Sequence, residues 1–357
     1  MTKDQAMFDL PEPGALYDAL TARDPAYDGR AYVGVTTTGI FCRLTCPARK
    51  PRPENCRWFA SPADAAAAGF RPCRRCHPTG PEAEGHAAIA ALIGALNADP
   101  ERRWSEADLV ALGHDPSTIR RAFKRHFGQT FLEIARVARL RSGLKSMTKG
   151  TAMIDAQLDA GFVSASGFRS AFARLFGHPP HAMRGASDLR ADWIETPLGG
   201  MIAITDDSAL HLLEFTDRKA LPQGLQRLSG LVGGRIGLGR TALTDRVESQ
   251  LTEFFAGHRA RFDLDLHLHG TDFQQRVWQG LRAIPAGETR SYAALADQIG
   301  KPAATRAVAN ANAGNRIAIV IPCHRVIGAD GTLTGYAGGL WRKQRLIEIE
   351  RSYGAAA

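Results

Sequence analysis

The chain has 357 residues, 44% of them hydrophobic and 23% charged, the composition of an ordinary soluble globular protein with material for two to four domains. Its formal charge of +9 points to a polyanionic partner such as nucleic acid, and six cysteines are too few for a disulfide scaffold. No apolar run approaches the roughly eighteen residues of a membrane span, and residues 1–10 lack the basic-then-apolar pattern of a signal peptide, so a cytoplasmic protein is expected.

Residues 1–29 are acidic and broken by Pro11, Pro13 and Pro25, with a short helix expected at 16–20. Tyr32-Val33-Gly34-Val35 reads as a strand. The strings Thr37-Thr38-Gly39-Ile40-Phe41-Cys42-Arg43-Leu44-Thr45-Cys46 and Phe70-Arg71-Pro72-Cys73-Arg74-Arg75-Cys76 carry four thiols in two close pairs, which matches a tetrahedral zinc site. So small and polar a segment has little core, and four metal–sulfur bonds would supply folding free energy that burial cannot. Cys56 lies outside both pairs and is expected to be a packed free thiol. Residues 30–80 hold nine Lys/Arg against two Asp/Glu, which concentrates the expected polyanion contact here.

These strings resemble the N-terminal domain of Ada-type alkylation response proteins. The resemblance implies that Cys42, Cys46, Cys73 and Cys76 bind zinc and that Cys42 takes a methyl group from a methylphosphotriester in DNA. A zinc-bound thiol stays deprotonated near neutral pH and can attack a methyl carbon. Methylation would remove one negative charge from the cluster. Arg43, Arg49, Lys50, Arg52, Arg57, Arg71, Arg74 and Arg75 could then hold phosphates with less opposition, coupling damage to DNA affinity.

Residues 77–86 read as a polar linker, and beyond it the chain turns helical. Two stretches, 109–128 and 154–177, each read as helix, glycine-containing turn and amphipathic helix ended by glycine. The doubling, with a long helix at about 131–145 between the copies, resembles the AraC-type double helix-turn-helix. Asp115 stands where that pattern prefers a neutral cap, and the first copy is a residue short before Gly113. On this reading Arg120, Arg121, Lys124 and Arg125 lie on or beside the first recognition helix, and Ser166, Arg169 and Arg174 on the second. A helical bundle with basic solvated faces is the alternative.

The segment 185–191 marks a further boundary. Beyond it, 201–205 and 210–215 read as a hairpin around Asp206-Asp207-Ser208, followed by a glycine-rich loop near 229–239 and a helix at 243–255. No convergent titratable cluster is visible in this part, which reads as scaffold. An amphipathic helix then begins at Thr271, and Lys301-Pro302 opens an alanine- and asparagine-rich helix in which Arg306 is the one large cation. So thin a helix suits a minor groove, with one long side chain inserted where a nucleotide has been extruded. Ile317-Ala318-Ile319-Val320-Ile321 reads as a buried strand ended by Pro322, after which Cys323 can face a cavity. A lone cysteine there is commonly an inert small hydrophobe.

Asn315, Pro322-Cys323-His324-Arg325-Val326 and Tyr336-Ala337-Gly338-Gly339-Leu340 together resemble the O6-methylguanine-DNA alkyltransferases over residues 270–350. The resemblance implies that Cys323 is the methyl acceptor, His324 its base, Glu350 the carboxylate orienting His324 through water, and Asn315 the support of the turn. It makes Tyr292 a hydrogen-bond donor to the flipped base and Arg306 the inserted finger. Arg316 stands where that family has proline. The thioether product has no visible route to hydrolysis, so the reaction is expected to be stoichiometric.

The combined expectation is a multidomain α+β protein: a zinc domain at 1–80, an all-α double helix-turn-helix module at 81–186, an α/β scaffold subdomain at 191–266 and a winged-helix-like alkyltransferase domain at 267–357. It would repair O6-methylguanine and O4-methylthymine through Cys323 and act as a transcriptional activator once Cys42 is methylated. Its partners would be double-stranded DNA, both alkylated and promoter, with RNA polymerase as a candidate and a monomeric state. The alternatives are a DNA-binding regulator whose alkyltransferase part recognises lesions without reacting, and a cysteine hydrolase.

Overall fold

The computed structural model describes residues 10–354 except 25, 26, 29, 30, 80, 149, 186, 234, 330, 332 and 334. They form two compact units. One comprises the described residues up to Ala98 with Ser105–His126 and Gly331–Leu333; the other comprises Asp99–Trp104, Phe127–Asp330 and the described residues from Thr334 on.

In the first unit, helix α1 (Pro13–Ala22) precedes strands β1 (Tyr32–Val35), β2 (Ile40–Arg43) and β3 (Cys56–Phe59), then α2 (Pro62–Ala67) and β4 (Arg71–Pro72). The sheet order is β3-β1-β2-β4, with β1 antiparallel to both neighbours and β2 parallel to β4. Tyr32, Phe41, Phe59 and Phe70 pack one small core, and Leu16, Leu20, Val33 and Leu44 pack against the cysteines in another. Gly34 is required between them, because a Cβ there would sit 2.7 Å from the Phe59 ring. Helix α3 (Pro81–Ala98) begins earlier than the expected linker allowed: Pro81 takes the first helical position, where its missing N–H costs nothing. Helices α4 (Glu106–Ala111) and α5 (Pro116–Phe127) follow. Asp115 caps α5, its Oδ1 accepting from the Thr118 N–H at 2.7 Å.

The second unit opens with the long helix α6 (Phe131–Thr148), then α7 (Met153–Asp159) and α8 (Ala165–Phe176). Gly113 and Gly161, at matching places in the two helix pairs, both have positive φ, +81° and +65°. Strand β5 (Leu189–Ile194) starts inside the expected boundary and is followed by β6 (Met201–Thr205), β7 (Leu210–Phe215), α9 (Leu221–Leu231), β8 (Ile236–Leu238) and α10 (Ala242–Phe255). The sheet order is β7-β6-β5-β8, so the glycine-rich loop hides a strand paired parallel to β5. One hydrophobic core runs from Leu140, Phe168, Phe172 and Phe176 into Ile202, Ile204, Leu212 and Leu225.

The remaining elements are α11 (Asp272–Arg282), β9 (Arg290–Ser291), α12 (Tyr292–Gln298), α13 (Thr305–Ala313), β10 (Val326–Ile327) and α14 (Leu340–Gly354), with β9 and β10 paired in parallel. The strand expected at 317–321 is absent. Ile317 makes a single bridge to Leu213, and the chain then folds on itself, with Ile319 at φ +70° and the Ile321 N–H donating to the Ile317 carbonyl at 3.0 Å. All five residues are buried. The apolar run signalled burial correctly, but burial does not select a conformation.

Candidate functional sites

The four paired cysteines converge. Cys42 lies on β2 opposite Val33, Cys46 follows the next turn, and Cys73 and Cys76 follow β4. Their sulfurs all lie within 4.8 Å of one another. The Arg43 N–H donates to the Cys76 sulfur and the Arg75 N–H to the Cys73 sulfur, both at 3.4 Å, as suits thiolates rather than thiols. Without a metal Cys42 and Cys76 hold their protons unequally: a hydrogen bond to Cys76 and burial push the Cys42 thiol far up, and that bond to Cys42 pulls Cys76 down to about 5. A soft dication among four sulfurs at this separation replaces those protons, so the donor set fits zinc. Cys56 is half-buried and donates to the Arg52 carbonyl at 3.3 Å, apart from the cluster.

The second site is built around Cys323, the first residue of a 3-10 turn at Cys323–Arg325. Asn315 holds the loop together: its Oδ1 accepts from the Ile317 N–H at 3.0 Å, and its Nδ2 donates to the Ile321 carbonyl at 2.9 Å and to the Cys323 sulfur at 3.1 Å. Burial pushes the Cys323 thiol up, opposed by Asn315, Arg218 and Lys343. Arg218 and Asn312 line the adjoining pocket with Tyr336, Gly335 and Gly338.

Glu350 contacts His324 directly rather than through water, correcting the expectation: Nε2 of His324 lies 2.8 Å from Glu350 Oε1. The arrangement closes because α14 brings Glu350 under the turn, where the Arg325 guanidinium also grips both its oxygens at 2.9 and 2.8 Å. Burial alone would raise the Glu350 carboxyl, but His324 and Arg325 outweigh it and hold it down to about 2. An ionised Glu350 can only accept, so Nε2 carries the proton, and Nδ1 of the fully buried His324 is left as the basic nitrogen. Nδ1 has no hydrogen-bond partner among the described residues.

Tyr292 begins α12, and its hydroxyl lies 3.4 Å from where a Cβ on Gly335 would stand. Arg306 is exposed near the start of α13. Several contributors were missed in the sequence. Arg218 donates to the Ala313 and Asn315 carbonyls, both at 2.9 Å, across about a hundred residues of sequence. Lys343 is fully buried beside the site, donates to the Val326 carbonyl, and is drawn down to about 8 by burial against the opposing effect of Cys323. The Tyr336 hydroxyl is buried without a partner among the described residues. Only Arg325 and Tyr336 had a signal, as members of the quoted motifs. His211 of the scaffold converges with His267 and His269, which lie just beyond the expected scaffold boundary at 266.

The basic residues expected to face DNA divide into two kinds. Arg49, Arg52, Arg57, Arg71, Arg74 and Arg75 are exposed, as are Arg121, Lys124 and Arg169. Lys50 instead donates to the Leu44 and Cys46 carbonyls at 3.1 and 3.2 Å, pinning the loop beside the sulfurs. Arg43 lies 3.6 Å from Asp28, Arg120 pairs with Glu106, and Arg174 lies 3.9 Å from Glu133. The side chain of Arg125 lies outside the described residues.

Three family signatures match the chain: the metal binding domain of Ada over residues 15–79, a helix-turn-helix domain over 110–186, and the DNA binding domain of 6-O-methylguanine DNA methyltransferase over 272–352. The chain is 36% identical over 345 residues to the bifunctional transcriptional activator/DNA repair enzyme Ada of Escherichia coli strain K12, covering 94% of this chain and 95% of that protein. It is 34% identical over 336 residues to the regulatory protein ada of Salmonella typhimurium, covering 92% and 94%. A crystal structure of the Mycobacterium tuberculosis O6-methylguanine methyltransferase is similar at 43% identity, covering 47% of this chain and 94% of that one, with a TM-score of 0.41.

Proposed function

The chain belongs to the Ada family of bifunctional transcriptional activators and DNA repair enzymes, and from that premise we propose how its residues divide the work. It is a zinc-binding, DNA-binding, methylated-DNA–protein-cysteine methyltransferase. Cys323 accepts the methyl of O6-methylguanine and O4-methylthymine, and Cys42 that of methylphosphotriesters. The division of labour follows 1–80, 81–186, 191–266 and 267–357. The protein acts as a monomer in the cytoplasm, and its activated form engages promoter DNA and RNA polymerase.

The observation that carries the reading is the buried Cys323 sulfur, held 3.1 Å from Asn315 Nδ2 beside a His324–Glu350 pair at 2.8 Å. The thiol proton passes to Nδ1 of His324, directly or through one water, and Glu350, itself fixed by Arg325, holds the imidazole while it is charged. The sulfur then forms a bond to the methyl carbon as the carbon–oxygen bond breaks. The electron pair goes to the base oxygen, where a donor such as Tyr292 stabilises the leaving group. Arg306 occupies the place of the extruded nucleotide. The thioether left on Cys323 ends the reaction after one turnover.

At the other site, zinc held by Cys42, Cys46, Cys73 and Cys76 would keep the sulfurs as thiolates near neutral pH. The Cys42 sulfur forms a bond to the methyl carbon of the triester, and the phosphodiester leaves as an anion. The sulfur set loses one negative charge, and the exposed Arg49, Arg71, Arg74 and Arg75 meet the phosphates with less repulsion. The alternative, a lesion binder that does not react, is tested by incubating the full chain with DNA carrying isotopically labelled methyl groups and mapping the label by peptide mass spectrometry. Label on Cys323 and Cys42 is expected; binding without label would favour the alternative.

A further inference from the structure

His211 on β7 and His267 and His269 on the segment before α11 bring one ring nitrogen each to within 4.8 Å of the others. This cluster belongs to neither cysteine site. Two contacts fix how its rings are used. His211 is 5% exposed, with Nε2 2.8 Å from Asp206 Oδ2 and Nδ1 2.9 Å from His269 Nε2. The other Asp206 oxygen accepts from the Ser208 and Ala209 N–H groups at 2.7 and 2.6 Å and from the Ser208 hydroxyl at 2.8 Å. Three donors on one oxygen keep the carboxylate an acceptor, so His211 gives it the Nε2 proton and turns the Nδ1 lone pair toward His269. A carboxylate that orients an imidazole from behind is the support seen around metal-ligating histidines.

We propose that His211, His267 and His269 form a binding site for a divalent transition-metal ion of the zinc class, with Asp206 orienting His211 and solvent completing the coordination. The rings of His267 and His269 stack with centroids 4.4 Å apart, and His211 lies 4.9 Å from His267, so modest side-chain rotations bring the three nitrogens to a common ion. Imidazole donors suit zinc, nickel or copper rather than magnesium or calcium.

The site has a structural consequence. The Leu210 N–H donates to the Asp265 carbonyl at 2.8 Å, and the His267 N–H donates to the Leu210 carbonyl at 3.0 Å. Two residues beyond His211, Leu213 bonds to the Arg316 carbonyl and the Ala318 N–H at 2.9 and 2.7 Å, next to the loop that carries Cys323. A bound ion would fasten the 265–269 strap to the strand that props the reactive loop.

The test uses the full chain loaded with zinc and passed through metal-free buffer, with the four-cysteine site as internal reference. Elemental analysis is expected to give two zinc ions per chain in the wild type and one in His267→Ala, whose exposed side chain makes misfolding an unsuitable explanation. A titration of Asp206→Asn is expected to show the second ion binding roughly 10- to 100-fold more weakly. One ion per chain in the wild type would overturn the proposal. Two ions retained in both His267→Ala and His267→Ala/His269→Ala would place the second ion elsewhere and overturn it equally.

Discussion

Glu350 holds His324 and Arg325 at once with no exposed side-chain surface, and this single carboxylate ties stability to chemistry. Its folded-state value of about 2 lies below the ordinary 4.5, so its contribution is fully present above that ordinary value and is lost as pH falls through the folded one. Denaturant titrations between pH 5 and 2 are therefore expected to show a loss of a few kcal/mol in the wild type and a shallower loss in Glu350→Gln; equal slopes would sink the assignment. The same variant is expected to slow methyl transfer to Cys323 about a hundredfold or more in single-turnover assays, because the imidazole loses its orienting charge. Asn315→Ala leaves the Ile321 carbonyl and the Cys323 sulfur without their shared donor. It is expected to cost about 1–3 kcal/mol in chemical unfolding and to reduce the transfer rate.

Among the elements, α6 and α7 cross closely. A Cβ on Gly143 would stand 2.6 Å from the Ala156 carbonyl oxygen and 3.0 Å from the Ala160 Cβ and the Phe168 ring. Gly143→Ala is expected to destabilise the second unit by about 1–3 kcal/mol despite its better helix propensity, read as a lowered melting temperature. An unchanged melt would mean that the helices separate freely. The paired helices were legible because Gly113 and Gly161 mark both turns and because apolar residues recur at helical spacing. β5, α9 and β8 were not, since Leu189, Ile236 and Leu221 sit in short stretches whose pairing is set by distant partners. The Pro322–Val326 motif stood out in the sequence, yet the conformation of the loop before it did not: Ile319 at positive φ contradicts the preference of a β-branched residue, and tertiary packing overrides it. Arg218 and Lys343 carry no local pattern and become visible only when chain segments far apart in sequence are brought together.

At the scale of the molecule, the two proposed acceptors lie in different units, Cys42 in one and Cys323 in the other. Cys42→Ala is expected to abolish methylation-dependent gain in promoter affinity while leaving label transfer to Cys323 unchanged; joint loss would show that the sites depend on each other. The second helix pair and the scaffold sheet share one core, so a fragment starting at residue 187 is expected to melt lower than the same unit in the full chain. The sheet of that unit also ends on β7, a strand whose outer side is met by two isolated bridges, Leu210 with Leu266 and Leu213 with Ile317. Those bridges blunt an edge that would otherwise offer its main-chain donors and acceptors to a second molecule. Loosening the strap beside His267 therefore threatens colloidal behaviour before repair: its first symptom would be strand-to-strand association on storage.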